Sequence, residues 1–291
     1  MIIILFFIII ILFILINSMS RVIVSNGIKP IVLLLDLDRT MIGNISPQSE
    51  EHYIFNSINI ELQSLNKKKL RMTNINDELK SITRKYLDKF LKLTKNYNNL
   101  EVFVYTASDD KWAKYVIPKL EKIVDFKFNR PLLTRNSIIK KNNKFKKSLK
   151  LVRPQIFKSL KRKYGLKNEN ELKYIMLFDD IKNNLIEKKY QILSPIYNKI
   201  NQIDYLRNIP KHVIKTYYPV IENILNIKHS STLEGFYSKY YKFLNIRYTY
   251  AENNNKKFDN DKYWKKVGLI LKNNLDNSNL SFKNLLVLLK N

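Results

Sequence analysis

Short apolar runs recur along the middle of the chain. Ile31–Leu35 (IVLLL), Val102–Tyr105 and Tyr174–Phe178 (YIMLF) are almost uninterrupted stretches of aliphatic and aromatic residues. None of them alternates between apolar and polar positions, and such runs are typical of strands buried on both faces of a parallel sheet. The pattern therefore predicts three parallel strands.

Segments with helical spacing separate these runs. Arg84–Tyr97 follows a helical period, and Ser108 and Asp109 stand at an N-cap position before a helix that Pro118 is expected to kink or end. A further helix is predicted with Pro154 in its first turn. Strands alternating with helices predict an α/β fold, a parallel sheet flanked by helices.

Two regions depart from this alternation. Residues 40–80 are polar and less regular, which indicates a small insertion after the first strand. Residues 228–291 are rich in Asn and Lys with scattered aromatics, and we expect a helical, basic C-terminal appendage. The predicted organisation is a hydrophobic N-terminal segment and lead-in (1–28), an α/β domain (29–227) and the appendage (228–291).

The N-terminal segment contains an apolar run, Ile2–Ile16. It is short for a membrane-spanning helix, which needs about 20 residues, and no basic residue precedes it as in a signal peptide. Met19 follows and begins an ordinary soluble sequence. A start at Met19, a membrane anchor, and a signal peptide or buried segment all stay open. We expect a cytoplasmic or nuclear protein, anchored to a membrane if residues 1–18 are retained.

Composition excludes several kinds of site. There is no cysteine, which rules out disulfides, thiolate metal sites and cysteine nucleophiles, and the three histidines (His52, His212, His229) lack ligand spacing. The formal net charge of +27 attracts anionic partners such as phosphorylated proteins or nucleic acid. AT-rich codons encode Lys, Asn and Ile, so genome composition rather than a binding surface is the alternative explanation of that charge.

Polar residues follow each of the three predicted strands. They are Asp36, Asp38 and Thr40 after the first, Thr106 and Ser108 after the second, and Asp179 and Asp180 after the third. The carboxyl ends of parallel strands meet at one crevice, so these side chains should lie together. Clustered carboxylates repel one another unless a cation lies among them, and Mg²⁺ suits oxygen ligands shared with phosphate.

The sequence around these residues resembles the motifs of a known family. LLLDLDRT resembles the DxDxT signature of the haloacid dehalogenase (HAD) superfamily. The surrounding sequence is closer to its C-terminal-domain phosphatase branch, the NLI-interacting-factor-like phosphatases. The similar segments, within roughly 29–225, are RKYLDKFLKL, LEVFVYTASDDKWAKYVIPKLEKIVDF, FKKSLKLV, YIMLFDDIKNNL and NIPKHVIKTYYPVIENIL.

The resemblance implies a HAD-like, Rossmannoid fold and a role for each carboxylate. Asp36 would attack phosphorus and form an aspartyl-phosphate. Asp38 would protonate the leaving group and then activate water. Asp36, the backbone carbonyl of Asp38 and Asp179 would hold Mg²⁺, with Asp180 orienting a metal-bound water.

The resemblance also implies a phosphate-binding set. Thr106 would donate to the phosphoryl oxygens and Lys147 would neutralise their charge. The substrate-binding residues would be Thr40, Thr106, Ser108 and Lys147, with Thr40 expected to hold the aspartate loop. KSL occurs twice, at Lys147 and Lys158, and the flanking sequence favours Lys147.

The function that the resemblance implies is a Mg²⁺-dependent phosphatase that acts on phosphoserine or phosphothreonine in proteins. Segments like the C-terminal domain of RNA polymerase are among the substrates it implies. One alternative is a nucleic-acid end phosphatase, motivated by the net charge of +27. Another is a membrane-associated, non-catalytic scaffold, motivated by Ile2–Ile16. The sequence leaves the individual substrate and the oligomeric state open.

Overall fold

A parallel sheet forms the centre of the protein, whose computed structural model describes residues 29–71, 74–141, 144–275 and 281–291. Its five strands run in the order β3-β2-β1-β6-β7, and a separate antiparallel hairpin joins β4 to β5. The strands in chain order are β1 (Ile31–Leu35), β2 (Leu100–Tyr105), β3 (Asn129–Leu133), β4 (Ile139–Lys141), β5 (Lys144–Lys146), β6 (Tyr174–Asp179) and β7 (Gln191–Leu193).

The three predicted strands are confirmed as the middle of this sheet. Ile31 of β1 lies opposite Leu100 of β2 and Tyr174 of β6, so the strands begin in register and their carboxyl ends come together. The short strands β3 and β7 at the two edges were not predicted. Residues of β3 are largely exposed or partly buried, and β7 is too short to show a period.

Helices cover both faces of the sheet, which confirms the predicted α/β fold class. In chain order they are α1 (Ser46–Ser64), α2 (Asn76–Ile82), α3 (Leu87–Thr94), α4 (Asp110–Val124), α5 (Leu149–Tyr164), α6 (Lys211–Leu225), α7 (Leu233–Asn255), α8 (Tyr263–Leu275) and α9 (Phe282–Lys290). Alternate residues of a strand point to opposite faces. Leu33 thus packs with α3, α4 and α8, whereas Leu34 packs with α5.

Three helix predictions need correction. α4 does not end at Pro118 but continues to Val124, and α5 begins at Leu149, so Pro154 lies beyond its first turn. Both prolines are exposed, where water can hydrogen-bond the carbonyl that a proline leaves without a partner. The polar region 40–80 is more regular than expected, because it forms α1 and α2.

The C-terminal region is helical, as predicted, and it contributes to the core around the sheet. Trp264 of α8 is fully buried and stacks on Phe90 of α3, with 4.5 Å between ring centroids. Phe236 and Tyr240 of α7 belong to a second apolar cluster with α1 and α6. The division at residue 228 stays a prediction drawn from sequence, since α8 shares a core with β1.

The N-terminal predictions fall outside the described residues. These are the apolar run Ile2–Ile16 and the alternative start at Met19. Within residues 29–71, 74–141, 144–275 and 281–291, no helix combines the length and the hydropathy needed to cross a membrane.

Candidate active site

Three buried carboxylates meet at the carboxyl end of the sheet. Asp36 follows β1, Asp179 ends β6 and Asp180 follows it, and one oxygen from each lies within 4.8 Å of the others. The Asp36 N–H donates to the Phe178 carbonyl at 2.9 Å, which extends the β1–β6 pairing by one residue. The strand register therefore brings these side chains together, as predicted.

Lys147 joins two of these carboxylates. Its Nζ lies 2.5 Å from Asp36 Oδ1 and 2.7 Å from Asp179 Oδ2, and its side chain is 1% exposed. The residue follows the β4–β5 hairpin, and its N–H donates to the Asn184 carbonyl at 2.9 Å. Lys158, the second lysine of a KSL sequence, is exposed on α5 and does not reach the carboxylates.

The Asp179 carboxylate is held by two further donors. The Ile181 N–H donates to Oδ1 and the Asn184 side-chain amide donates to Oδ2, both at 2.8 Å. Asp179 is fully buried, so these bonds and Lys147 determine where its oxygens lie. Asn184 was not predicted, although an amide within the same DDIKNNL loop was a signal for such a role.

Asp38 stands beside this cluster with one oxygen available. The Ser108 hydroxyl donates to Asp38 Oδ2 at 2.7 Å, whereas Oδ1 is buried and has no hydrogen-bond partner in the described structure. Burial raises the pKa of Asp38, although the Ser108 hydrogen bond and the Lys147 charge oppose that rise. A carboxyl group in this setting favours the protonated form more than one in water does.

The charges at the centre of the site are tightly linked. Burial raises the pKa of Asp36 to about 8, with Lys147 lowering it and Asp179 and Asp38 raising it further. Burial lowers the pKa of Lys147, but Asp36 and Asp179 outweigh that effect and raise it overall. Lys147 therefore stays charged, and it compensates only part of the negative charge of the carboxylates.

Arg39 faces Asp180 from the edge of the site. Its Nε lies 3.6 Å from Asp180 Oδ2, and its backbone adopts a left-handed φ of 59°. Burial raises the pKa of Asp180, and Arg39 opposes the rise. A positive φ at a residue with a side chain is uncommon and is enriched at functional loops. Sequence patterns carried no signal for Arg39.

Two threonines of the predicted set, Thr40 and Thr106, are fully buried. The Thr106 hydroxyl oxygen accepts a hydrogen bond from the Ser108 N–H at 3.1 Å. The Thr40 hydroxyl lies 3.2 Å from the Ser194 hydroxyl, in the segment that follows β7. This contact joins the aspartate loop to the segment that follows β7, and the predicted role of Thr40 in holding that loop stays a prediction.

The donor set suits a hard divalent cation. Asp36, Asp179 and Asp180 present three carboxylate oxygens close together, and Asp38 Oδ1 is buried without a partner. All three carboxylates lie at one edge of the sheet and are at most 6% exposed. Oxygen ligands of this kind match the preference of Mg²⁺.

An open cleft leads from Asp38 to the surface. It has a volume of ≈ 550 Å³ and is bounded by α1, the start of α4 and the loop before β4. Ser46, Ser49 and Tyr53 of α1 line one side, and Trp112 and Arg135 line the other. None of these five was predicted, because their places depend on how α1 packs rather than on any motif.

One protein family matches the part of the chain that carries this site. The sequence model of the family described as NLI interacting factor-like phosphatase matches residues 31–230, more than half of the 291 residues. The chain belongs to this family. Membership confirms the predicted resemblance and supports the predicted enzyme class, a phosphoric monoester hydrolase. The matched span of the NLI interacting factor-like phosphatase domain includes every predicted site residue and ends before α7.

Solved structures of phosphatases resemble the chain distantly. One is a variant of the fission yeast RNA polymerase II CTD phosphatase Fcp1 bound to beryllium fluoride, at 16% identity and a TM-score of 0.34. The match covers 90% of this chain and 62% of that one, so the chain spans less than two thirds of its length. A second is Fcp1, described as an essential RNA polymerase II CTD phosphatase, at 14% identity and a TM-score of 0.34, covering 87% and 68%. No curated protein sequence matches the chain.

Proposed function

We propose that the chain is a phosphatase that hydrolyses phosphate monoesters through an aspartyl-phosphate on Asp36, with phosphoserine and phosphothreonine in proteins as its substrates. The observation that carries this proposal is that Asp36 and Asp38 lie in different environments. Asp36 contacts Lys147 at 2.5 Å, whereas Asp38 has a buried, partner-free oxygen beside an open cleft. Two carboxylates in different environments suit two different roles.

In the first step an oxygen of the Asp36 carboxylate attacks phosphorus. The bond between phosphorus and the ester oxygen of the substrate breaks, and that oxygen takes a proton from Asp38. The raised pKa of Asp38 supports this role, because burial lets its carboxyl group keep a proton at a higher pH than a carboxyl group in water does. The Ser108 hydrogen bond to Oδ2 leaves Oδ1 for the transfer.

In the second step the Asp38 carboxylate takes a proton from water. The resulting hydroxide attacks phosphorus, the bond to Asp36 breaks, and phosphate leaves with both aspartates restored. Lys147 and the Thr106 hydroxyl would stabilise negative charge on the phosphoryl oxygens throughout. Their burial supports that role, because charge interactions strengthen where water is excluded.

Mg²⁺ is the cofactor that this proposal includes. Asp36, Asp179 and Asp180 would hold it with the Asp38 backbone carbonyl, and Asn184 and the Ile181 N–H would keep Asp179 oriented. Bound there, it would supply positive charge that holds Asp36 ionised and offsets charge on the phosphoryl group.

A polypeptide substrate is supported by the cleft. It is open, ≈ 550 Å³ in volume, and lined by hydroxyl, aromatic and charged side chains, with Glu50, Asp109 and Arg135 among the charged ones. Such a surface can receive a phosphorylated side chain together with its neighbouring residues. The RNA polymerase II C-terminal domain, named as the substrate of Fcp1, is one sequence of this class.

The decisive experiment is hydrolysis of an aryl phosphate by the full chain, with Mg²⁺ and with EDTA. We expect Mg²⁺-dependent turnover that Asp36→Asn abolishes. Asp77→Asn, an exposed aspartate of α2, serves as the matched control and should keep full activity. Turnover that survives in Asp36→Asn would exclude the aspartyl-phosphate mechanism.

A nucleic-acid end phosphatase is the second candidate, motivated by the net charge of +27. It predicts removal of a terminal phosphate from DNA or RNA, with binding that weakens steeply as salt rises. Phosphopeptides and 5′-phosphorylated oligonucleotides compared at one salt concentration distinguish the two substrates. The scaffold alternative depends on Ile2–Ile16, which lie outside the described residues.

A further inference from the structure

A basic groove lies at the opposite end of α1 from the cleft. We define the basic groove by Lys67, Lys68, Lys69 and Arg71 on one side and His212 on the other; its volume is ≈ 770 Å³. No acidic residue is among those that line it. The three lysines and Arg71 are exposed, and none forms an ion pair with another described residue. The groove therefore presents uncompensated positive charge.

The loop that carries these lysines is fixed to α1. The Leu70 N–H donates to Asn59 Oδ1 at 2.7 Å, and Asn59 Nδ2 donates to the Leu70 carbonyl at 3.1 Å. Leu70 also packs against the apolar cluster that includes Leu62 of α1. Paired hydrogen bonds from one side chain hold the loop in a defined position, so its charges converge on the groove.

The start of α6 adds to the positive potential on the other side. This 15-residue helix begins at Lys211 after Pro210, and its first turn contains no acidic residue. The N-terminus of a helix carries a partial positive charge, and here Lys211 and His212 stand at that end. Both sides of the groove therefore favour an anion.

Helix α1 connects the basic groove to the catalytic cleft. Ser49 lines the cleft and Leu62 lines the groove. They are thirteen positions apart in the helix, which corresponds to about 20 Å at ~1.5 Å per residue. Along the exposed side between them lie Tyr53, Asn56 and Ile60, which are uncharged; Tyr53 is 47% and Ile60 71% exposed.

We propose that the basic groove binds a second phosphorylated or acidic segment of the polypeptide whose phosphate is hydrolysed at Asp36. The inference rests on the proposed function, and it adds where the rest of the substrate lies. An extended chain advances about 3.3 Å per residue, so the second phosphate would lie roughly six to eight residues from the first. Uncharged Tyr53 and Ile60 would contact the segment between the two.

The test measures binding of synthetic peptides to the Asp36→Asn chain. One peptide carries two phosphoserines seven residues apart, and the other has alanine in place of the second. The two-phosphate peptide is expected to bind roughly 10- to 100-fold more tightly, because its second phosphate forms charge-assisted hydrogen bonds in the groove. Replacing Lys67, Lys68, Lys69 and Arg71 by alanine should bring that ratio to near one.

A matched control removes the same charge elsewhere. Alanine at Lys158, Arg162, Lys167 and Lys173, exposed residues in and after α5, should leave the ratio unchanged.

A separate pair of variants tests the path along α1. Ile60→Glu should weaken the two-phosphate peptide several-fold, whereas Ile246→Glu on α7, where Ile246 is 62% exposed, should not.

The outcomes separate docking from catalysis. An equal loss of the ratio in the groove and control variants, or equal affinity for the two peptides, overturns the proposal. So does an RNA oligonucleotide of similar charge that binds the groove more tightly than the peptide. A last outcome separates the two proposals. If the chain does not hydrolyse aryl phosphate, but still prefers the two-phosphate peptide and loses that preference in the groove variant, the docking proposal stands and the proposed catalytic function falls.

Discussion

At the scale of single residues, the site depends on how Lys147 balances buried carboxylates. Lys147 Nζ contacts Asp36 and Asp179, and all three side chains are 8% exposed or less. Removing one partner from a buried ion pair leaves the other charge without compensation, which costs more than the pair itself contributes. Lys147 is therefore expected to matter for stability as well as for phosphate binding.

Lys147→Ala should lower the free energy of unfolding by about 3–5 kcal/mol and abolish phosphatase activity. Lys158→Ala provides the control, because this lysine follows the same KSL sequence pattern but is exposed on α5. It should change stability by less than about 0.5 kcal/mol. Urea denaturation and aryl phosphate hydrolysis measure the two effects. A larger loss of activity in the Lys158 variant would reverse the assignment of the motif lysine.

Asp38 offers a kinetic prediction. In Asp38→Asn the first step can still proceed with an aryl phosphate, whose leaving group needs little protonation, but water activation is lost. We expect a burst of aryl alcohol equal to the enzyme concentration, followed by turnover reduced by roughly 10²- to 10⁴-fold. Ser108→Ala, which removes the hydrogen bond to Oδ2, should cause a smaller loss and no burst. Rapid-quench kinetics distinguish these results.

Sequence and structure agree best at this scale where a residue directly follows a strand. Asp36, Thr106 and Asp179 could be placed because parallel strands end at one edge of a sheet. Asn184 and Arg39 could not, since one depends on a loop that turns back to Asp179 and the other on a left-handed backbone. Such positions follow from three-dimensional context rather than from residue spacing.

At the scale of elements, Lys147 owes its position to the segments on either side of it. The β4–β5 hairpin precedes it and α5 begins two residues later at Leu149. Glu187 caps that helix, because its carboxylate accepts hydrogen bonds from the Leu149 N–H at 2.9 Å and the Lys150 N–H at 3.1 Å. An acidic group from a distant loop thus replaces the usual N-cap side chain.

Glu187→Ala should destabilise the protein by about 1–2 kcal/mol, because it removes the cap of α5. It should also reduce kcat, because the capped start of α5 fixes the backbone that follows Lys147. Glu234→Ala is the matched control: Glu234 lies exposed in the first turn of α7, where Thr232 already caps the helix. It should change stability by a few tenths of a kcal/mol at most. Equal effects in thermal unfolding of the two variants would show that Glu187 has no special role.

Element boundaries were the least accurate part of the sequence prediction. The sequence predicts that Pro118 kinks or ends its helix and that Pro154 lies in a first turn, yet α4 continues to Val124 and α5 begins at Leu149. The buried faces of both helices extend beyond each proline, and burial of apolar side chains outweighs one missing hydrogen bond on the solvent side. Local propensity predicts a break, and tertiary packing overrides it.

At the scale of the whole molecule, residues far apart in sequence support the aspartate loop from behind. Arg84 is 2% exposed and donates to the Thr40 carbonyl at 3.3 Å and to the Pro195 carbonyl at 3.0 Å. Its guanidinium also pairs with Asp261, at 2.8 Å, just before α8. Trp264 of α8 donates to the same Thr40 carbonyl at 3.3 Å. Trp264, which lies beyond residues 31–230 that match the family, thus contacts the loop that carries Asp36 and Asp38.

This arrangement predicts strong coupling between Arg84 and Asp261. In a double-mutant cycle of Arg84→Ala and Asp261→Ala, each single variant should lose about 3–5 kcal/mol of stability, and the coupling energy should be on the order of 1–3 kcal/mol. The exposed pair Lys92–Asp125, whose side chains are 57% and 81% exposed, is the matched cycle and should couple by less than about 1 kcal/mol. Because Arg84 holds the Thr40 carbonyl, Asp261→Ala should also lower kcat several-fold while KM changes little. A stability loss without any change in kcat would mean that the C-terminal helices support the core but leave the aspartate loop unaffected.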